Sequence, residues 1–329
     1  MAVGPVGQQV GGRDRGPAPE LAPTGVTGPS AGIIGVMREQ LTPTSAARIT
    51  LPGPDYPLAA LDSDPSRTDP DRRPRGTVLL LPGYTGSKED FAPILDPLSN
   101  NGFRAVAIDL PGQFESPGPD SETAYAPMTL GATCARVAAG LSPDGPLVLL
   151  GHSFGGLVAR GAALAGARLA GLILLDSGPG AFRYGQRHDA LLAGEPLMRR
   201  HGKAAVYDST VAVARAERRT VPPDVADLLR RRFLASSEAG LLGMGTALRV
   251  EPDRVEELRR GLTATATPVA VIAGRDDDAW PLAEQAAMAT RLGTDLVIIE
   301  DAAHSPAVEN PAGLLAVLLP LLEKWLAAL

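Results

Sequence analysis

Residues 147–166 read LVLLGHSFGGLVARGAALAG. An apolar run stops at Gly151, a single hydroxyl (Ser153) sits just beyond it, and a small-residue segment with helical character follows. A buried strand, a tight turn and a helix in that order form half of a βα unit. Gly151-His152-Ser153-Phe154-Gly155 fits G-x-S-x-G, a pattern that a chain with 37 glycines can show by chance. Its place between strand and helix gives it meaning. A hydroxyl at the tip of such a turn forces Ser153 into strained backbone angles, and the flanking glycines remove side chains that would clash there. The helix beneath offers unpaired N–H groups and the positive end of its dipole, which favour developing negative charge. Ser153 is thus expected to be presented rather than packed. The plainer alternative is a turn serine capping a helix.

Similar apolar runs recur on both sides: 77–83, 104–112, 169–177, 269–274 and 295–301. None alternates cleanly, as suits strands buried on both faces of a parallel sheet. Helix-capable segments lie between them at 88–99, 129–140, 155–166, 281–292 and 311–328. Residues 46–51 and 56–61, joined through Pro52-Gly53-Pro54, predict an opening hairpin. The expected fold class is α/β, a doubly wound, mostly parallel sheet. One connection, 179–261, holds only helix-like segments and far exceeds a crossover helix. It is expected to form a helical cap, with 46–178 and 262–329 as the core. Residues 183–260 carry fifteen Lys or Arg against eleven Asp or Glu in a chain of net charge −6. This surplus reads as a solvated helix face, or as a cap whose basic groups meet an anionic substrate.

The 329 residues are 44% hydrophobic, enough for a large core, and the acidic balance does not suggest a nucleic-acid partner. Twelve of the first thirty residues are Gly or Pro, so 1–45 is expected to be a flexible tail, with 31–41 its first segment able to pack. It lacks the pattern of a signal peptide. The lone cysteine, Cys134, excludes a disulfide framework, and the expected location is cytoplasmic. Four scattered histidines and one cysteine do not make a zinc site, so no metal is expected. The C-terminal apolar run is broken by Pro320 and Glu323-Lys324, which argues against stable membrane insertion. The apolar pairs Leu191-Leu192 and Leu241-Leu242 are expected to pack the cap onto the core.

A serine hydroxyl needs a base to become a nucleophile. His304 follows the last strand, whereas His188 and His201 lie in the insertion and His152 is expected to point elsewhere on the turn. His304 is the candidate base. Its orienting carboxylate should come from Asp276, Asp277 or Asp278, after the run 269–274, with Asp176 as competitor. The backbone N–H of Phe154 is one expected oxyanion donor. The N–H of Tyr84, in the loop PGYTGSKEDF, is the other. That loop also reads as an ordinary turn with Ser87 as N-cap and Asp90 in the capping-box position.

The segments LLLPGYTGSKEDF, AIDLPGQFESPGP, LLGHSFGG, VIAGRDDDAWP and AAHSPAVENP, in that order, resemble the α/β-hydrolase superfamily, in its capped esterase- and lipase-like branch. The resemblance covers 75–329 well and 46–74 loosely. It implies a serine hydrolase that cleaves a carboxylic ester or related acyl compound through an acyl-enzyme, with no cofactor and a small-molecule acyl substrate. Within the acidic run it selects Asp277, between Gly274 and Pro281, and it maps the second oxyanion position onto Tyr84. The same resemblance admits carbon–carbon bond hydrolases, thioesterases, perhydrolase- or haloperoxidase-type enzymes and acyl transferases. Epoxide hydrolases and haloalkane dehalogenases carry an aspartate where Ser153 stands. A non-catalytic small-molecule binder would be expected to have lost part of the Ser153, Asp277, His304 set. The sequence departs from the family where Pro82-Gly83 replaces His-Gly, where Pro111-Gly112-Gln113-Phe114-Glu115 replaces Gly-x-Gly, and at Ala303. Glu115 receives no role, and the sequence leaves the oligomeric state open.

Overall fold

The computed structural model describes residues 1–4, 41–67, 69, 71–143, 145–216 and 221–326. Most of the expected tail, including the 31–40 part of its packable segment, lies outside the described residues. At the tail's described end, Thr44 Oγ1 and Ser45 N donate to the Asp96 carboxylate, each at 2.8 Å.

β1 (Ala47–Leu51) and β2 (Leu58–Ser63) form the expected antiparallel hairpin. β3 (Thr77–Leu81), β4 (Arg104–Ile108), β5 (Leu147–His152), β6 (Gly171–Leu175), β7 (Val269–Gly274) and β8 (Leu296–Ile299) complete one eight-stranded sheet, in the order β1-β2-β4-β3-β5-β6-β7-β8. β2 pairs antiparallel with β4, and every pair from β4 to β8 is parallel. Alternation along each strand sends side chains to opposite faces. Leu79, Leu81 and Leu149 enter one buried core, and Val78, Leu80, Val148 and Leu150 enter the other. Burial on both faces is why these strands read as continuous apolar runs.

Helices cover both faces: α1 (Ala92–Asn100), α2 (Pro127–Leu141), α3 (Phe154–Leu164) and, between β6 and β7, α4 (Gln186–Ala216), α5 (Pro223–Ala235), α6 (Glu238–Val250) and α7 (Val255–Thr265). α8 (Leu282–Leu292), a single turn α9 (Pro306–Glu309) and α10 (Pro311–Leu326) follow. The helix expected at 88–99 begins instead as a 3-10 turn, Lys88–Phe91, before α1. Asp90 caps it from the expected position, its Oδ2 accepting the Ser87 N–H at 3.1 Å. α2 and α3 cross closely because both carry glycine at the contact: a Cβ on Gly131 would lie 2.4 Å from Gly161 C.

α7 packs on α3 and α8 in the helical layer of the sheet, while α5 and α6 each pack on α4. α4 is kinked at Gly202, whose φ of 77° takes it out of helical geometry. Leu241 and Leu242 are buried as expected, but Leu192 is 47% exposed, because only Met198 of α4 is fully buried. No helix among the described residues is long and apolar enough to cross a membrane. Cys134 sits in the core, where burial pushes its thiol up to about 12.

Candidate active site

The loops after β3, β4, β5, β7 and β8 meet at one edge of the sheet, outside the carboxyl ends of its parallel strands, where ligand sites gather in open α/β sheets. Ser153 follows β5 with φ 55° and ψ −120°, backbone angles that few non-glycine residues adopt. The turn is tight enough that a Cβ on Gly151 would lie 2.2 Å from Gly155 O, and one on Gly155 would lie 2.4 Å from Leu81 O. The flanking glycines are therefore obligatory on steric grounds, and the elbow holds the serine hydroxyl above the sheet edge.

His304 Nε2 lies 2.9 Å from Ser153 Oγ, and His304 Nδ1 lies 2.7 Å from Asp277 Oδ1. With Nδ1–H donating to the carboxylate, Nε2 is free to accept the serine proton. Asp277 is fixed in turn: Oδ1 accepts the Ala279 N–H at 2.9 Å and Oδ2 accepts Gln285 Nε2–H at 2.7 Å. Its loop is zipped to the histidine loop by Asp276 N–H to Ala302 O at 3.0 Å. Gly274 permits this approach, since a Cβ there would lie 1.9 Å from Ala303 O.

None of the other acidic candidates hydrogen-bonds the imidazole among the described residues. Asp278 is exposed and pairs with Arg187, and Asp276 is exposed. Asp176 lies beside Asp277, wholly buried, accepting the Gly274 N–H at 2.8 Å. Burial first, then the Asp277 charge, hold its carboxyl well above the usual carboxylate range.

The two N–H groups expected as oxyanion donors lie on the loops after β5 and β3. The N–H of Phe154, the first residue of α3, has no intrahelical acceptor, and the Tyr84 N–H donates to no protein group among the described residues. A Cβ on Gly83 would come within 3.4 Å of Ser153 Oγ, so Gly83 lies close against the serine side chain.

The family model of the alpha/beta hydrolase family matches residues 78–317. The chain belongs to the alpha/beta hydrolase family. The fold is shared with an esterase of Thermogutta terrifontis (23% identity, TM-score 0.67, covering 85% of this chain and 99% of that one). It is shared equally with a carboxylesterase structure from Nitrososphaera gargenis (20% identity, TM-score 0.66, 85% and 100% covered). An enol-lactonase of Burkholderia xenovorans has the same fold (19% identity, TM-score 0.65, 83% and 99% covered). Among curated protein sequences none matches this chain.

Three residues of this hydrolase escaped the sequence reading. His152 does not turn away: its Nε2–H donates to the His304 backbone oxygen at 2.5 Å, and the two rings lie 5.1 Å apart. Burial, then the neighbouring His304, depress its pKa to about 4. Glu309 reaches back to accept the N–H groups on either side of His304, from Ala303 at 2.7 Å and Ser305 at 3.0 Å. Lys88, only 1% exposed, joins the loops after β3 and β4 through Asp109 Oδ2 at 2.8 Å and Glu115 Oε2 at 2.7 Å. Glu115 thereby gains a structural role. A carbonyl-bound histidine, a back-reaching glutamate and a buried lysine have no local sequence signature, because each partner lies on another loop or its geometry depends on one.

A cavity of about 530 Å³ opens over Ser153 and His304, between the sheet edge and α4, α5 and α6. Its walls are mostly apolar, with Phe182, Leu191, Met198, Phe233, Leu241 and Leu248 among them. Arg187 and Arg232, which also line it, are ion-paired to Asp278 and Asp90, each at 2.6 Å.

Proposed function

We propose that this hydrolase cleaves neutral carboxylic esters with an apolar acyl group, using Ser153 as nucleophile, His304 as general base and acid, and Asp277 as orienting carboxylate. The observation that carries the reading is the continuous hydrogen-bonded chain from Asp277 through His304 to Ser153, at 2.7 and 2.9 Å. His304 Nε2 takes the hydroxyl proton as Ser153 Oγ attacks the carbonyl carbon. The oxyanion that forms accepts hydrogen bonds from the N–H groups of Tyr84 and Phe154. His304 then gives its proton to the departing alkoxide. A water deprotonated by the same imidazole attacks the acyl-enzyme, and the proton returns to Ser153.

The cavity supports this substrate class. Its volume suits a small to medium ligand, and its apolar walls favour burying hydrocarbon over charge. The pairing of Arg187 and Arg232 leaves neither as a free counter-charge for a substrate carboxylate, which favours neutral esters over acidic metabolites. In this reading residues 179–261 cap a core formed by 46–178 and 262–329, and the cap supplies most of the acyl-binding wall.

A fluorophosphonate probe should label Ser153 in the folded protein. Turnover of p-nitrophenyl esters from acetate to decanoate should peak at an intermediate chain length and vanish in Ser153→Ala. An unlabelled, inactive wild type would refute the reading.

A further inference from the structure

The loop after β4 reads Gly112-Gln113-Phe114 where the family carries Gly-x-Gly, and its middle residue is a buried glutamine. Gln113 is 2% exposed. Its Oε1 accepts the Leu110 N–H at 3.1 Å, which fixes the amide's orientation and leaves Nε2–H to donate to Gly83 O at 2.8 Å. Gly83 O also accepts the Gly86 N–H at 3.0 Å. This carbonyl belongs to the peptide unit whose nitrogen is that of Tyr84.

A peptide is planar and trans, so its C=O and N–H point in opposite directions. Holding the Gly83 oxygen from behind therefore aims the Tyr84 N–H at the space over Ser153. Gly83 has no side chain to brace against its surroundings, and a Cβ there would lie 3.0 Å from Ser153 Cβ. The orientation of this peptide must come from its hydrogen-bond partners.

The glutamine is itself braced. Gly112 and Phe114 on either side of it have φ of 77° and 38°, a tight turn that drives the Gln113 side chain inward. The insertion clamps the same turn, Ser236 Oγ accepting the Phe114 N–H at 3.0 Å and the Ser237 N–H donating to Gly112 O at 2.8 Å. Asp109 ties the base of the loop to Lys88, accepting its backbone N–H and its ammonium, both at 2.8 Å.

We infer that Gln113 is a positioning residue that orients the Gly83–Tyr84 peptide as an oxyanion donor. The inference rests on the ester-hydrolase reading above. Gln113 touches no reacting atom; it acts through the peptide it holds.

The test compares wild type, Gln113→Met (similar length, no donor) and Gln113→Glu on a p-nitrophenyl ester. An aryl trifluoromethyl ketone serves as the second probe, since Ser153 Oγ adds to its carbonyl and leaves an oxyanion in the same place. In Gln113→Met, kcat should fall about 10²-fold, as expected for a displaced catalytic dipole, with KM little changed. Affinity for the ketone should fall by the same factor as kcat. In Gln113→Glu the ionised carboxylate cannot donate, but the protonated acid can, so its activity relative to wild type should recover as pH falls.

A merely structural role would lower the melting temperature or raise KM without that parallel loss. Wild-type kcat and ketone affinity in Gln113→Met would overturn the inference, as would a Gln113→Glu to wild-type ratio independent of pH. If Gln113→Met does not fold, the Gln113→Glu profile decides alone. Wild type labelled at Ser153 and turning over, with both variants unaffected, refutes this inference only. Wild type that neither reacts with fluorophosphonate nor turns over refutes the ester-hydrolase reading and this inference with it.

Discussion

Replacing Gly155 by alanine should damage both stability and catalysis, against what helix propensity alone dictates. Gly155 lies in the first turn of α3, where alanine is normally the better residue by up to about 1 kcal/mol. Its Cβ, however, would lie 2.4 Å from Leu81 O and 2.6 Å from Pro82 O, backbone atoms at and just past the end of β3, the strand paired beside the elbow. A carbon–oxygen contact is comfortable at about 3.3 Å, so the elbow and the end of β3 must part by about 0.9 Å. Neither side can give cheaply, because Leu81 and Gly151 face each other in a parallel ladder. Overpacking of this kind costs about 1–3 kcal/mol, which for a chain of 329 residues corresponds to a melting temperature lower by about 1.5–4 °C. The displacement also separates Phe154 N–H, carried by the elbow, from Tyr84 N–H, carried by the loop after β3. A misplacement near 1 Å costs about 10²-fold in rate. Calorimetric melting and kcat on a p-nitrophenyl ester measure the two effects. Gly140→Ala is the control: it is exposed, near the end of α2, with nothing within 4 Å of its Cβ. It should stabilise by about 0.5–1 kcal/mol and leave kcat alone. A Gly155→Ala protein that melts higher than wild type, or keeps its kcat, would refute the steric account of the elbow.

Asp277→Asn should lower kcat about 10⁴-fold, because an amide NH₂ facing His304 Nδ1 or Gln285 Nε2 disfavours the productive tautomer; steady-state kinetics with a melting curve separate this from unfolding. Lys88→Met should cost about 3–5 kcal/mol in urea denaturation, since it strands the buried Asp109 carboxylate that Lys88 neutralises at 2.8 Å. His152 gives the fold an acid-labile site. Its folded pKa of about 4 lies below the ordinary 6.5, so the unfolded chain binds its proton more readily and unfolding free energy rises with pH across that window. The full difference is about 3 kcal/mol, lost on acidification from pH 6.5 to 4. His152→Gln should flatten that part of the stability–pH curve measured by urea titration, and an unchanged slope would contradict the assignment.

What the sequence by itself determined is local. Strands buried on both faces announce themselves as apolar runs. The elbow announces itself because Gly151, Ser153 and Gly155 are neighbours in the chain, and Asp90 caps the turn after Ser87 from three residues away. The order of Ser153, the acidic run and His304 along the chain matched a known fold, and the resemblance, not the residue types, picked Asp277 from its neighbours. The tertiary structure decided what depends on contacts between distant loops. It placed Asp176 in the core beside Asp277, where burial raises its carboxyl pKa, turned His152 onto the His304 carbonyl and set Gln113 behind Gly83. It also gave Glu115 a partner in Lys88 and neutralised the two cavity arginines that composition had offered as anion binders. Hydrogen bonds and ion pairs reach only about 3–4 Å, so their partners exist only once the sheet has brought its loop ends to one edge.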